Sequence, residues 1–121
     1  MDAVEARARS VRLAVFDVDG VMTDGTIFIG AQGEAFKAFN ILDGHGVKML
    51  QSAGIATAII SGRSSEAVAR RAAELAIEHV VQGSSDKVAA FEALIAMLDL
   101  APDGTLVGAL TFHDLLAAGV V

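Results

Sequence analysis

Short apolar runs alternate with amphipathic stretches along this chain. The first run, Val11-Arg12-Leu13-Ala14-Val15-Phe16, is rich in β-formers and stops at Asp17-Val18-Asp19-Gly20. Its nearly unbroken apolar character predicts a strand covered on both faces, as in a parallel sheet. Residues 1–10 ahead of it form a polar lead with helical potential. Residues 26–40 predict a hairpin: Ile27 and Ile29 alternate with polar-side positions, turn glycines lie at 30 and 33, and Phe36 and Phe39 follow. Asp43-Gly44-His45-Gly46 opens a predicted helix over 47–53, with Gly54 just past its end. Residues 55–60 predict a second buried strand, ending at Ser61-Gly62-Arg63. A helix follows from about 64 to 75, then a third strand over 79–82 that ends at Gly83. Asp86 is the expected cap of another helix, on which Val88, Phe91, Leu94, Ile95 and Leu98 share one face. Pro102 marks a turn, and the tail predicts a strand over 105–111 and a short helix over 113–118. Strands alternating with helices imply an α/β fold with right-handed crossovers between parallel strands.

Composition narrows the function. Hydrophobic residues make up 54% of the 121 and charged residues 20%, enough to bury a core, so one domain over 1–121 is expected. Nine Lys and Arg against fifteen Asp and Glu give 9 − 15 = −6. An acidic chain without Trp or Tyr offers neither a basic face nor a stacking platform, so no nucleic-acid partner is expected. Cysteine is absent, which excludes disulfides, thiolate zinc sites and a thiol nucleophile, and fits a reducing cytoplasm. No apolar run approaches the roughly 18–20 residues of a membrane span, and the polar start has no signal-peptide core, so no membrane partner is expected.

The candidate chemistry gathers just after the strands. Asp17 and Asp19 follow the first, Ser61 and Arg63 the second, and Lys87 comes soon after the third. In open parallel sheets ligands bind at the carboxyl ends of strands, so these residues should meet on one rim. Two carboxylates, a hydroxyl and a lysine suit phosphoryl transfer. One carboxylate attacks phosphorus, and the other exchanges a proton with the leaving oxygen. A divalent metal offsets their repulsion from the phosphate, and Ser61, backbone N–H groups and Lys87 hold the phosphate oxygens. Each signal has a plainer reading: Asp-x-Asp as a turn, Ser61 as a strand-end hydroxyl, Arg70-Arg71 as a solvated face. The plain reading of Lys87 is a solvated first-turn lysine, but a cation is unfavourable in the first turn of a helix, which favours function. The three histidines lack a metal-ligand spacing.

Asp17-Val18-Asp19-Gly20-Val21-Met22-Thr23-Asp24-Gly25 resembles the first motif of the haloacid-dehalogenase (HAD) phosphatases. Ser61-Gly62-Arg63 resembles the second, and Lys87 within Gly83-Ser84-Ser85-Asp86-Lys87 the third. Residues 12–98 resemble the 3-deoxy-D-manno-octulosonate 8-phosphate (KDO 8-phosphate) phosphatases of that superfamily. The stretch Ala38-Phe39-Asn40-Ile41-Leu42-Asp43-Gly44, His45 before Gly46, and Gln82-Gly83-Ser84-Ser85-Asp86-Lys87 carry the likeness. The resemblance implies a Rossmann-like three-layer α/β sandwich with a small hairpin insert over 26–40. It implies that Asp17 is nucleophile and metal ligand, and that Asp19 is general acid/base with its backbone carbonyl on the metal. It implies phosphate binding by Ser61, Gly62 and Lys87. Substrate contacts are implied for Asp19, Asn40, Ile41, Leu42, Asp43, Gly44, Lys48, Arg63 and Arg71. It further implies Mg²⁺, a small anionic sugar-acid phosphate as substrate, a cytoplasmic homotetramer joined through the hairpin, and a product used in lipopolysaccharide synthesis.

The pattern departs from that family after residue 98. The family's fourth motif, Gly-Asp-Asp, supplies a further metal carboxylate. The same count from Lys87 reaches Gly108-Ala109-Leu110-Thr111, which has none, and Asp114 is the nearest acid beyond it. Residues 103–121, with Asp103-Gly104-Thr105-Leu106-Val107-Gly108 and later Asp114-Leu115-Leu116, resemble instead the cystathionine-β-synthase-type closing segment of arabinose 5-phosphate isomerases. The expectation is a phosphatase core truncated in its C-terminal part, with reduced turnover. The alternative is a chain that keeps the fold and the oligomer interface without the chemistry.

Overall fold

The structure, a computed structural model, describes residues 2–100. The expectations for Pro102, the strand over 105–111, the helix over 113–118, Asp114 and the tail resemblance lie outside them. The described chain runs α1 (Ala3–Arg9), β1 (Leu13–Phe16), β2 (Phe28–Gly30), β3 (Gly33–Phe36), α2 (Ile41–Ser52), β4 (Ala56–Ile60), α3 (Glu66–Glu74), β5 (His79–Val81) and α4 (Lys87–Met97). β1, β4 and β5 form a parallel sheet in that order, with Phe16 opposite Ile59 and Ile59 opposite Val80. β2 and β3 pair antiparallel as the expected hairpin.

The two-residue period of the strands sorts the core into two layers. From β4, Ile59 joins Val18, Val47, Val68, Ala72, Leu75 and Ile77, between the sheet and α2 with α3. Ala58 and Ile60 point the other way and pack with Leu94, Leu13, Val15, Phe91 and Leu98, between the sheet and α4. Helices therefore cover both faces, giving three layers.

Three expectations need correction. β1 is half-buried rather than fully buried: Phe16 packs into one layer and Leu13 and Val15 into the other, and among the described residues the strand pairs only with β4. α2 starts at Ile41 rather than at 47, because the Asn40 side chain accepts the Leu42 N–H at 2.8 Å and caps the helix there. Gly44 thus lies inside the helix, where a Cβ would meet Arg71 Nη2 and Leu75 Cδ2. On α4, Val88 is 66% exposed and falls off the packed face, where Ala90 takes part instead. The cap of α4 is as expected, with Asp86 accepting the Ala89 N–H at 3.0 Å.

Candidate active site

The rim is built from the ends of the three parallel strands. Asp17 follows β1, Ser61 follows β4, and the loop after β5 leads to Lys87 at the first position of α4. Lys87 Nζ donates to Asp17 Oδ2 at 2.8 Å, joining positions 70 residues apart. This is how the lysine escapes the unfavourable helix start: its amine reaches across to a carboxylate. Both side chains are partly exposed, 49% and 37%, so the pair adds little stability and both groups are open to a ligand from solvent. Asp17 Oδ1 accepts the N–H of Val18 at 2.7 Å, which fixes the second oxygen.

The loop after Asp17 turns back on itself around Thr23. The Thr23 hydroxyl accepts the N–H groups of Gly20 at 3.3 Å and Gly25 at 3.2 Å. Gly20 and Gly25 take φ of +84° and +88°, a left-handed backbone that a side chain would strain. Thr23 is buried, so Thr23→Val leaves two N–H groups without a partner. That variant is expected to lose about 1–3 kcal/mol in urea unfolding. Asp24 accepts the Thr26 N–H at 2.9 Å, and the N–H and hydroxyl of Thr26 lower its pKa.

Ser61 is buried at the end of β4. Its N–H donates to Val81 O at 2.8 Å, and its carbonyl accepts the Ser84 N–H at 3.0 Å. Its hydroxyl accepts the Arg63 N–H at 3.4 Å. Gly62 passes close to the Ser84 carbonyl, so the second and third loops lie against each other. Gln82 ties the same region to α3 by accepting the Ser65 N–H at 2.9 Å and donating to its carbonyl at 3.2 Å.

Asn40 and Asp43 lie with Val21, Met22, Thr23 and Asp24 around a cleft of about 280 Å³, so the start of α2 meets the Asp17 loop. Ile41 and Leu42 are 81% and 75% exposed beside it. Arg63 is drawn aside by Glu34, Nη2 to Oε2 at 3.1 Å. Arg71 reaches over Gly44 and pairs with Glu74 at 3.6 Å, while its Nε is buried without a partner. Lys48 is not brought to the rim. Its amine donates to Gln51 Oε1 at 2.8 Å and to Leu75 O at 3.1 Å, at the end of α3 away from the strand carboxyl ends.

Sequence reasoning missed two residues that the structure adds. Lys37 donates to Asp19 Oδ1 at 2.7 Å and to Glu34 Oε2 at 3.0 Å, and its side chain is 4% exposed. Burial opposes its charge, but the hydrogen bonds and charges of Asp19 and Glu34 together raise its pKa. Nothing in the pattern of the hairpin marks a lysine just after its second strand as the partner of an aspartate 18 positions away, or a glutamate three residues before it as that lysine's second partner.

Asp17 and Asp19 offer only oxygen donors, which suit a hard cation such as Mg²⁺. Among the described residues no group of three or more His, Cys, Asp or Glu is arranged to hold a metal. The Asp17 carboxylate and the Asp19 backbone carbonyl fit such an ion as part of its shell, with water and phosphate oxygens completing it.

No family model matches the chain. It is 47% identical over 102 residues to the 3-deoxy-D-manno-octulosonate 8-phosphate phosphatase KdsC of Yersinia pestis, covering 84% of this chain and 54% of that protein. The crystal structure of the corresponding phosphatase from Moraxella catarrhalis, in complex with magnesium ion, phosphate ion and KDO, superposes with a TM-score of 0.78 at 42% identity. That match covers 84% of this chain and 58% of the other. A putative HAD superfamily hydrolase from Legionella pneumophila superposes with a TM-score of 0.76 at 37% identity, covering 81% and 54%. The chain thus spans about half the length of the curated relatives it matches. The isomerase-like reading of the tail has no support among these relatives. By sequence and by fold, the chain is a homologue of the 3-deoxy-D-manno-octulosonate 8-phosphate phosphatases, built on the HAD fold.

Proposed function

We propose that the chain acts as a Mg²⁺-dependent phosphomonoesterase that hydrolyses KDO 8-phosphate to KDO and phosphate. The observation that carries this reading is the Asp17–Lys87 contact at 2.8 Å, made between two strand-end loops far apart in sequence. The relatives' printed activity and the ligands of the Moraxella structure support it. They favour it over the alternative of a fold kept without chemistry.

In this reading Asp17 attacks phosphorus in line with the ester oxygen. The P–O bond to the sugar breaks, an aspartyl-phosphate forms, and Asp19 gives its proton to the leaving oxygen. Asp19 then takes a proton from water, which attacks phosphorus and frees Asp17. The Lys87 ammonium offsets repulsion between the Asp17 carboxylate and the incoming phosphate, and Ser61 with the Gly62 backbone binds its oxygens. Asp17 and Asp19 would hold Mg²⁺, which when bound supplies further charge neutralisation at the phosphate. Asn40, Ile41, Leu42, Asp43 and Gly44 would contact the sugar acid, and Arg63, once it leaves Glu34, its carboxylate. Arg71 is poised over Gly44 with unused bonding capacity for the same ligand. Lys48 has no part in this assignment, because its amine is bound elsewhere.

A homotetramer in the cytoplasm fits the same reading. Ile29 and Phe36 of the hairpin are 71% and 57% exposed, an apolar edge suited to a second copy of the chain. No described helix is long and apolar enough to cross a membrane. The test is phosphate release from KDO 8-phosphate, with Mg²⁺ and with chelator, beside a neutral hexose phosphate. Metal-dependent release that favours the sugar acid is expected. Equal rates on both substrates would contradict the substrate assignment.

A further inference from the structure

The hairpin delivers a chain of four charges to the rim. Asp19 Oδ1 bonds Lys37 Nζ at 2.7 Å, Lys37 bonds Glu34 at 3.0 Å, and Glu34 bonds Arg63 at 3.1 Å. Two positive and two negative groups sum to zero. Burial opposes the lysine's charge, and the carboxylates of Asp19 and Glu34 on either side of its amine favour it. The Lys37–Glu34 bond lies within the hairpin segment, so on its own it ties the hairpin to nothing else. Lys37 also reaches back across 18 residues to the second carboxylate of the rim.

Among the described residues Lys37 is the only side chain bonded to Asp19. An aspartate has two side-chain torsions, and one strong bond to a buried donor restrains both. The bond takes Oδ1 and leaves Oδ2 without a partner among the described residues. Glu34 in turn holds the lysine amine from the other side, so the lysine's own long side chain is fixed.

We propose that Lys37 is a positioning residue: the hairpin, through Lys37 and Glu34, fixes the Asp19 carboxylate by Oδ1 and leaves Oδ2 free for proton exchange with the leaving oxygen. This rests on the reading of Asp19 as general acid. It also gives the hairpin a part in the chemistry of its own subunit. A displaced hairpin would misplace the acid, since Lys37 follows β3 directly.

The test compares wild type, Lys37→Met and Lys37→Arg on two substrates. The alkyl ester KDO 8-phosphate needs a proton on its leaving oxygen. The aryl ester p-nitrophenyl phosphate has a leaving group stable as an anion and needs none. Lys37→Met is expected to lower kcat/KM on the alkyl ester by about 10²-fold, mainly through kcat, and on the aryl ester by less than about threefold. Lys37→Arg is expected to recover most of the loss. Equal losses of kcat/KM on both esters would overturn the proposal, because that ratio reports the step that breaks the ester bond, where only the alkyl ester needs the proton. Glu34→Gln is the second variant should Lys37→Met fail to fold. The same split at smaller amplitude is expected, and its absence overturns the proposal. Failure of the phosphatase reading shows separately, as wild type with no metal-dependent release from either ester. Crystals of Lys37→Met then decide: an Asp19 carboxylate turned from its wild-type position with the hairpin in place supports the proposal, and an unmoved carboxylate overturns it.

Discussion

Asp17→Asn is expected to reduce phosphate release by at least about a thousandfold while leaving the fold intact. An amide oxygen is a poor nucleophile and carries no charge for a metal or for Lys87. The change is close to isosteric, and the lost ion pair is partly exposed on both sides. Its removal is therefore expected to move stability by no more than about 1 kcal/mol. The measurement is a rate with and without Mg²⁺, beside a thermal melt of both proteins. A variant that melts far below wild type would mean that Asp17 is structural. A variant that turns over normally would mean that another group attacks phosphorus.

Ile59→Ala is expected to cause the largest loss of stability among single core changes, about 2–5 kcal/mol. Ile59 is 1% exposed in the middle strand, with Phe16 paired on one side and Val80 on the other. Its side chain touches the cluster that joins the sheet to α2 and α3, so the cavity opens where both helices meet the sheet. Domains of this size hold about 5–15 kcal/mol in total, so the change removes a large share. The melting temperature is expected to fall on the order of 10–20 °C. Met49→Ala, at a site 60% exposed, serves as the control and is expected to stay within about 0.5 kcal/mol. Similar melts for the two variants would contradict the core assignment.

Much of the architecture was legible because it depends on local rules. Apolar runs of the right length marked β1 and β4, a short stretch ending at Gly83 marked β5, and an aspartate at 86 marked the start of α4 through its own side chain. The meeting of Asp17 with Lys87 was legible for a different reason. Strand-end placement and an ill-placed helical lysine both asked for a partner, and parallel strands bring such residues to one edge. The early start of α2 was hidden because glycines at 44 and 46 look like a turn. Only the packing of Arg71 over Gly44 explains a glycine within that helix. The partial cover of β1 was hidden because its apolar run says what the strand tolerates, not what lies beside it. Lys48 illustrates the limit for site residues: its bond to Gln51 follows the three-residue spacing within α2, but its bond to Leu75 is set by how α2 meets α3, which no spacing within α2 encodes. Lys37 was hidden for the same reason, since the hairpin's angle to the sheet decides which charge reaches Asp19.

The central claim is that Asp17 attacks phosphorus, and trapping the covalent intermediate tests it most directly. Protein turning over KDO 8-phosphate in Mg²⁺ would be quenched, reduced with borohydride and digested for mass spectrometry. An aspartyl-phosphate is reduced to homoserine, so homoserine at position 17, dependent on substrate and metal, is the expected result. Substrate consumed with Asp17 unmodified and another side chain carrying the label would contradict the account.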